Sequence, residues 1–345
     1  MPRLVLHLRD TRPIWAIPHW AVAEIRDALP SGWEMLEVEV PADGRGDGGG
    51  PSAEALRAIR GAEVYLGYGI PRELLIAATT APEDKLRWAH SAAAGVGGSL
   101  YPEMLRSAVT LTNSAGIHAA PIAETVVAMI LHFARGLDFA VRAQAERKWL
   151  KEPFEHADTP VREISGLTLG IVGFGGIGRE VASRAAALGM RPLALRRSGT
   201  DAPPGVELVT GEGALERLLE RSDVLLLSVP ETPETRGLVG RAELARLPEG
   251  ALVINVARGG VLDEDALVDC LRSGHLRGAA LDVFREEPLP PQSPLWSLPN
   301  VLVTPHVSGT SRGFWRREAD LILANLRRYR DGEPLINVVD KQAGY

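Results

Sequence analysis

Gly173-Phe174-Gly175-Gly176-Ile177-Gly178 is the stretch on which the reading of this chain turns, because of what flanks it. Residues 167–172 (LTLGIV) form a short apolar run that predicts a strand. Residues 179–188 (REVASRAAAL) have helical periodicity and end at Gly189. The three motif glycines therefore fall on a turn from strand into helix, where each has its own task. Gly173 permits the tight turn, Gly175 lets backbone approach a pyrophosphate, and Gly178 lets helix and strand pack closely. The start of the helix adds unpaired N–H groups and the positive end of a dipole. Without such flanks the same pattern is an ordinary glycine-rich loop; with them it predicts a dinucleotide site.

Strands and helices alternate on both sides of this turn. Upstream, strands are expected over 4–8, 34–40, 63–66, 86–89 and 109–112, with helical patterns at 21–29, 53–59, 72–77 and 102–105. Downstream, strands are expected over 192–195, 224–229, 251–256, 278–283 and 301–304, with helices at 214–221 and 263–273. Alternation of this kind implies parallel sheets covered by helices on both faces. The downstream half is long enough for a six-stranded doubly wound sheet. Residues 119–150 read as one long helical region opened by Pro121, with Val126, Val127, Ile130 and Leu131 as core or subunit-interface positions. His132 among them reads as a packed or surface histidine. A last helix is expected over 316–329. Two such modules in series predict a cleft where a cofactor and a small substrate meet.

Length and composition agree with this picture. A chain of 345 residues exceeds one ordinary core, so two domains are expected. No apolar run is long enough to span a membrane, and MPRLVLHLRD lacks the apolar region of a secretory signal. The lone cysteine, Cys270, rules out an internal disulfide, fits a reducing cytoplasm, and reads as a small packed hydrophobe. Net charge is −6, and the basic residues are dispersed, so no nucleic-acid footprint is present. The glycine-rich stretch 41–52 reads as a surface loop. No apolar strand leads into it and no P-loop lysine follows, which argues against a phosphate cradle.

The second strand of the downstream module predicts the cofactor. An acidic residue at its end normally binds the ribose 2′-OH of NAD. Here Arg196, Arg197 and Ser198 stand in its place. Guanidinium groups clamp a 2′-phosphate that a carboxylate would repel, so NADP(H) is preferred, with NAD(H) possible. Three later strand ends carry polar residues suited to hydride chemistry: Arg258 after 251–256, Asp282 and Glu287 after 278–283, and His306 after 301–304. Residues 92–98, small and placed after a strand, are either a plain turn or a loop whose amides approach a ligand. No residue cluster calls for a metal.

These segments, in this order, resemble the D-isomer-specific 2-hydroxyacid dehydrogenase family, which includes glyoxylate/hydroxypyruvate reductases. The resemblance covers 91–97, 113–124, the glycine turn, 232–237, 255–260, 282–290, 304–309 and 332–339. It implies an α/β fold of two doubly wound parallel-sheet domains, a Rossmann cofactor domain (119–309) inserted into a flavodoxin-like substrate domain (1–118 and 310–345). It implies that Arg258 holds the substrate carboxylate and that His306 donates a proton to the carbonyl oxygen. Glu287, directly before Pro288, would hydrogen-bond His306 and favour its protonated form; Glu286 is one position out of register. The backbone of Ala94, Gly95, Val96 and Gly97 would hold the other side of the carboxylate, and Asp282 would bind the nicotinamide carboxamide. The same resemblance assigns Phe174, Gly176, Ile177, Val229, Pro230, Thr235, Val256, Ala257 and Gly309 to the cofactor. It further implies a cytoplasmic homodimer, paired through the cofactor domain, with a small 2-oxo or 2-hydroxy acid as partner and neither nucleic acid nor membrane.

Two departures bear on pocket shape. Gly97 stands where the family often has an acidic residue, and Ser228 where several members have histidine. Trp149 and Trp315 are candidates for lining or closing the pocket. The rival expectation is a cofactor-sensing, corepressor-like binding protein on the same scaffold, since such proteins can retain the Arg258, Glu287 and His306 set. The absence of an evident recruitment segment argues against it.

Overall fold

The computed structural model describes residues 1–42, 50–81, 85–196 and 202–344. Most of the glycine-rich stretch (43–49), together with Arg197 and Ser198, therefore lies outside the described residues. The chain divides into two compact units: unit 1 is Met1–His118 with Ser311–Tyr345, and unit 2 is Ala119–Thr310. Among the described residues no helix is long and apolar enough to cross a membrane.

Unit 1 holds strands β1 (Arg3–His7), β2 (Glu34–Glu37), β3 (Val64–Gly67), β4 (Trp88–Ser91) and β5 (Thr110–Asn113). All pair in parallel, in the order β2-β1-β3-β4-β5, the flavodoxin-like arrangement. Alternate residues of one strand feed opposite cores: Leu4 and Leu6 pack on one face, Val5 on the other. Burial on both faces explains why β1 and β3 read as nearly unbroken apolar runs. The helix Phe314–Asp331 returns to this unit and buries Phe314, Trp315, Ala319, Ile322 and Leu326 in the first of those cores.

Unit 2 holds β6 (Thr168–Val172), β7 (Arg191–Leu195), β8 (Glu207–Val209), β9 (Val224–Leu227), β10 (Ala251–Asn255), β11 (Leu276–Leu281) and β12 (Val301–Val303). Their order, β12-β11-β10-β9-β6-β7-β8, is the doubly wound Rossmann order extended by one strand. Here too Leu225 and Leu227 face one core while Val224 and Leu226 face the other. Among the described residues the sheet has seven strands rather than the expected six. The one not expected, β8, reads Glu-Leu-Val with only Val209 buried, so no apolar run marks it in the sequence.

Two further expectations are corrected. Residues 119–150 are not one helix: Ala119–Ala134 and Leu137–Ala145 are separated at Gly136, whose φ is +67°. A side chain there would meet Phe154 and Val161 at 2.7 and 2.9 Å, so the chain turns where only glycine fits. The apolar periodicity runs through the break, which is why the two helices read as one. The helix after the glycine turn begins at Gly176, inside the motif, rather than at Arg179. Other element ends lie within three residues of expectation.

Candidate active site

The glycine turn joins β6 to the helix Gly176–Ala187. Gly173 has φ +101°, and a Cβ there would stand 2.7–2.8 Å from Val229 and the Ser228 backbone. A Cβ on Gly178 would lie 2.4 Å from the Gly173 carbonyl oxygen, whereas one on Gly175 would meet nothing within 4 Å. The first and third glycines are thus required by packing, and the second faces open space. Arg179 N–H donates to Gly175 O, leaving the amides of Gly176, Ile177 and Gly178 ahead of the first helical hydrogen bond. Open space before unpaired N–H groups fits a diphosphate. Ser228 donates to Gly173 O at 2.8 Å and braces the turn from the end of β9.

Arg258 follows β10 and is exposed, with its Nη1 donating to the Ala257 carbonyl at 2.6 Å. The loop beneath it is held by Asn255, a buried side chain that the sequence reading passed over. Its Oδ1 accepts from Ala257 N–H, and its Nδ2 donates to Arg258 O. Gly259 is pressed against the next loop: a Cβ there would lie 1.9 Å from the Phe284 carbonyl carbon. Phe284 N–H in turn donates to Glu287 Oε1 at 2.9 Å, and Glu287 Oε2 lies 2.8 Å from His306 Nδ1. A continuous series of contacts therefore runs from the Arg258 loop to the imidazole. Glu286 makes no such contact, so the geometry distinguishes the two neighbouring glutamates.

His306 sits in left-handed backbone, φ +54°, a region few non-glycine residues occupy and one enriched at functional sites. What holds it there is Asp282, only 1% exposed. The Asp282 carbonyl accepts from His306 N–H at 2.8 Å. Its carboxylate accepts from Thr304 Oγ1 (2.6 Å), Val307 N–H (2.9 Å), Ser308 N–H (3.0 Å) and Ser308 Oγ. Four donors occupy the lone-pair positions of a carboxylate. The Asp282 side chain thus organises the loop that carries His306.

The arrangement can do two things. An exposed guanidinium can take a carboxylate through paired N–H···O bonds. A half-exposed imidazole whose Nδ1 is held by a carboxylate presents Nε2 for proton transfer.

The remaining expected residues are placed as follows. Phe174, Val256 and Ala257 are buried, and Thr235 Oγ1 donates to the Pro230 carbonyl at 2.7 Å. Val229 and Gly309 are half-buried. Arg196 directly follows β7, half-buried, and its N–H donates to Val209 O. In unit 1, Ala94, Gly95 and Gly97 are exposed, Val96 is buried, and Asn113 Nδ2 donates to Ala94 O at 2.8 Å. Trp315 is buried and donates to Ile14 O, so it belongs to the unit 1 core, while Trp149 is exposed. Cys270 packs against the core of unit 2, and burial pushes its thiol pKa up. His132 lies edge-on to Phe133, half-buried, and burial lowers its pKa.

Residues 127–308 match the family model described as D-isomer specific 2-hydroxyacid dehydrogenase, NAD binding domain. A glyoxylate reductase of Korarchaeum cryptofilum is 36% identical over 75% of this chain and 77% of its own length. A D-isomer specific 2-hydroxyacid dehydrogenase of Xanthobacter autotrophicus, solved with NADPH and MES, superposes with a TM-score of 0.79 at 32% identity, covering 100% of this chain and 99% of that one. An NADPH-dependent glyoxylate/hydroxypyruvate reductase of Sinorhizobium meliloti, solved with NADP and sulfate, superposes with a TM-score of 0.75 at 28% identity over the whole of both chains.

Proposed function

The chain belongs to the D-isomer-specific 2-hydroxyacid dehydrogenase family, and from that premise we propose that it reduces a small 2-oxo acid of the glyoxylate or hydroxypyruvate class to the D-2-hydroxy acid, with NADPH as the preferred donor. The observation that carries this reading is the Glu287–His306 pair, 2.8 Å apart and open to solvent beside an exposed arginine loop. Bound at the glycine turn, NADPH supplies hydride to C2. Arg258 pairs with the substrate carboxylate and orients the 2-oxo group, while the backbone of residues 94–97 supplies further N–H donors. His306 gives its proton to the carbonyl oxygen and takes it back in the oxidative direction. Glu287 holds the imidazole through Nδ1, which leaves Nε2 for the proton transfer.

Arg196, with Arg197 and Ser198, supports the preference for NADPH, as does the NADPH or NADP bound in the two similar structures. We place the protein in the cytoplasm, in keeping with its single cysteine. We also propose a homodimer through unit 2, where Leu137, Val141, Trp149 and Leu150 leave large apolar side chains exposed.

A panel of 2-oxo acids run with NADPH and with NADH tests the reading. Turnover of glyoxylate or hydroxypyruvate, with kcat/KM higher for NADPH, is the expected result. A higher kcat/KM with NADH would remove the argument from the arginines. Tight NADPH binding without turnover of any 2-oxo acid would favour the cofactor-sensing alternative.

A further inference from the structure

Unit 1 contains a buried titratable pair that hydride transfer does not use. Glu318, on the helix Phe314–Asp331, and His90, on β4, both have fully buried side chains, and Glu318 Oε1 lies 2.8 Å from His90 Nε2. On the other side of the ring, His90 Nδ1 lies 2.8 Å from Thr112 Oγ1, which also accepts from Trp88 Nε1 at 2.8 Å. Glu318 Oε2 has no hydrogen-bond partner among the described residues. An interior carboxylate with a single partner is costly, and that partner becomes hard to replace. With Glu318 ionised, Nε2 must carry the proton between them.

The pair stands at the root of the loop that carries residues 94–97. β4 runs from Trp88 through His90 to Ser91 and directly into it. Thr112 precedes Asn113, whose side chain holds the Ala94 carbonyl, and Ser114 Oγ donates to Ser91 O at 2.9 Å. Ala92 N–H donates to Gly67 O at 2.7 Å. Glu318 thus ties the returning helix to both strands from which the loop is suspended.

We propose that Glu318, acting through His90, is a positioning residue for substrate: the pair fixes β4 and β5 against the helix, so that the loop amides keep the spacing a carboxylate requires. This rests on the proposed role of residues 94–97 as a carboxylate-binding loop. It assigns to a buried pair an effect on KM rather than on the chemical step.

Two conservative variants test it. Glu318→Gln keeps an oxygen able to accept from Nε2–H, whereas Glu318→Asp keeps the charge and withdraws it by one methylene. The expected result is a KM for glyoxylate within twofold of wild type for the Gln variant and about tenfold higher for the Asp variant, the loss of one hydrogen bond. In both, kcat at saturation and the Kd for NADPH should stay within twofold. Backbone amide resonances of residues 94–97, followed in the full chain with NADP bound, should shift in Glu318→Asp and hold in Glu318→Gln. Wild-type KM and unshifted loop amides in the Asp variant would overturn the proposal, as would a fall in kcat alone. Failure of the reductase reading is distinguishable, because it shows as no turnover in wild type, while the amide shifts still report the coupling.

Discussion

In unit 2 the polar residues that follow the strands stand in the open: Arg258 is exposed, and the side chains of His306 and Glu287 keep 47% and 35% of their surface. In unit 1 the corresponding strand ends carry His7, His90, Ser91 and Asn113, and every one of them is buried. The architecture is shared, so parallel strands and their loops do not by themselves decide whether a polar strand end reacts or supports. What differs is how each group is satisfied. The unit 1 residues bond other interior side chains and nearby backbone, in surroundings where an unpaired group is costly. The exposed residues of unit 2 are held from below, by Asn255, Gly259 and Asp282, and keep their functional atoms free. A side chain supported through its backbone can be removed without collapsing what supports it.

The largest expected effect follows from that distinction. Arg258→Ala and His306→Ala should each lower kcat/KM for the 2-oxo acid by about a thousandfold, within the range for loss of a proton donor or a substrate clamp. Thermal stability should change by less than about 0.5 kcal/mol, as for exposed side chains that hold nothing else in place. NADPH affinity, measured by fluorescence titration, should stay within twofold. If either variant unfolded, the contrast between an open site and a buried support would break.

Asp282 sharpens the comparison, since it is the buried member of the unit 2 site. In Asp282→Asn an NH2 group faces donors that the carboxylate oxygen used to accept, and the His306 loop loses bonds it cannot replace. We expect kcat to fall about thirtyfold, roughly 2 kcal/mol at the transition state, with NADPH binding retained. Weaker NADPH binding at unchanged kcat would instead favour the carboxamide role for Asp282.

Much of this was legible in the sequence, for a physical reason. The glycine turn, Arg258, Glu287 and His306 each sit at a strand end, and both the motif and the strand have a local signature. The choice of Glu287 over Glu286 rested on register alone, and the 2.8 Å contact with His306 agrees with it. The supports were not legible. Asn255 looks like one more strand residue, Gly259 like a loop glycine, and Ser228 like a departure from the family. Gly259 and Ser228 act on partners tens of residues away, Phe284 and Gly173, while Asn255 acts on the loop that follows it. Asp282 stands at a legible strand end, but its bonds to the 304–308 loop have no local pattern. His90 and Glu318, separated by 228 positions, share no local pattern.

The smallest expected effect tests the buried side of the comparison directly. His7 ends β1 with Nδ1 3.1 Å from Tyr65 Oη, and its Nε2 is buried with no hydrogen-bond partner among the described residues. Burial lowers its pKa below the ordinary 6.5, against weaker raising contributions from the Val40 backbone and Glu54. A histidine with a depressed folded-state pKa binds fewer protons folded than unfolded, so acid favours the unfolded form. Above pH 6.5 both states are neutral and the group adds no pH dependence. As pH falls below 6.5, the unfolded state takes up its proton first, and stability declines by up to about 1.4 kcal/mol per pH unit until the folded pKa is reached. Hydrogen exchange at the β1 amides, corrected for the intrinsic rate at each pH, reads this opening locally. The wild-type protein should lose protection between pH 6.5 and 5.5 more steeply than His7→Gln, with the two curves parallel above pH 7. Parallel curves throughout would mean that His7 already reaches water in the folded protein, and that burial is not what separates the strand ends of unit 1 from those of unit 2.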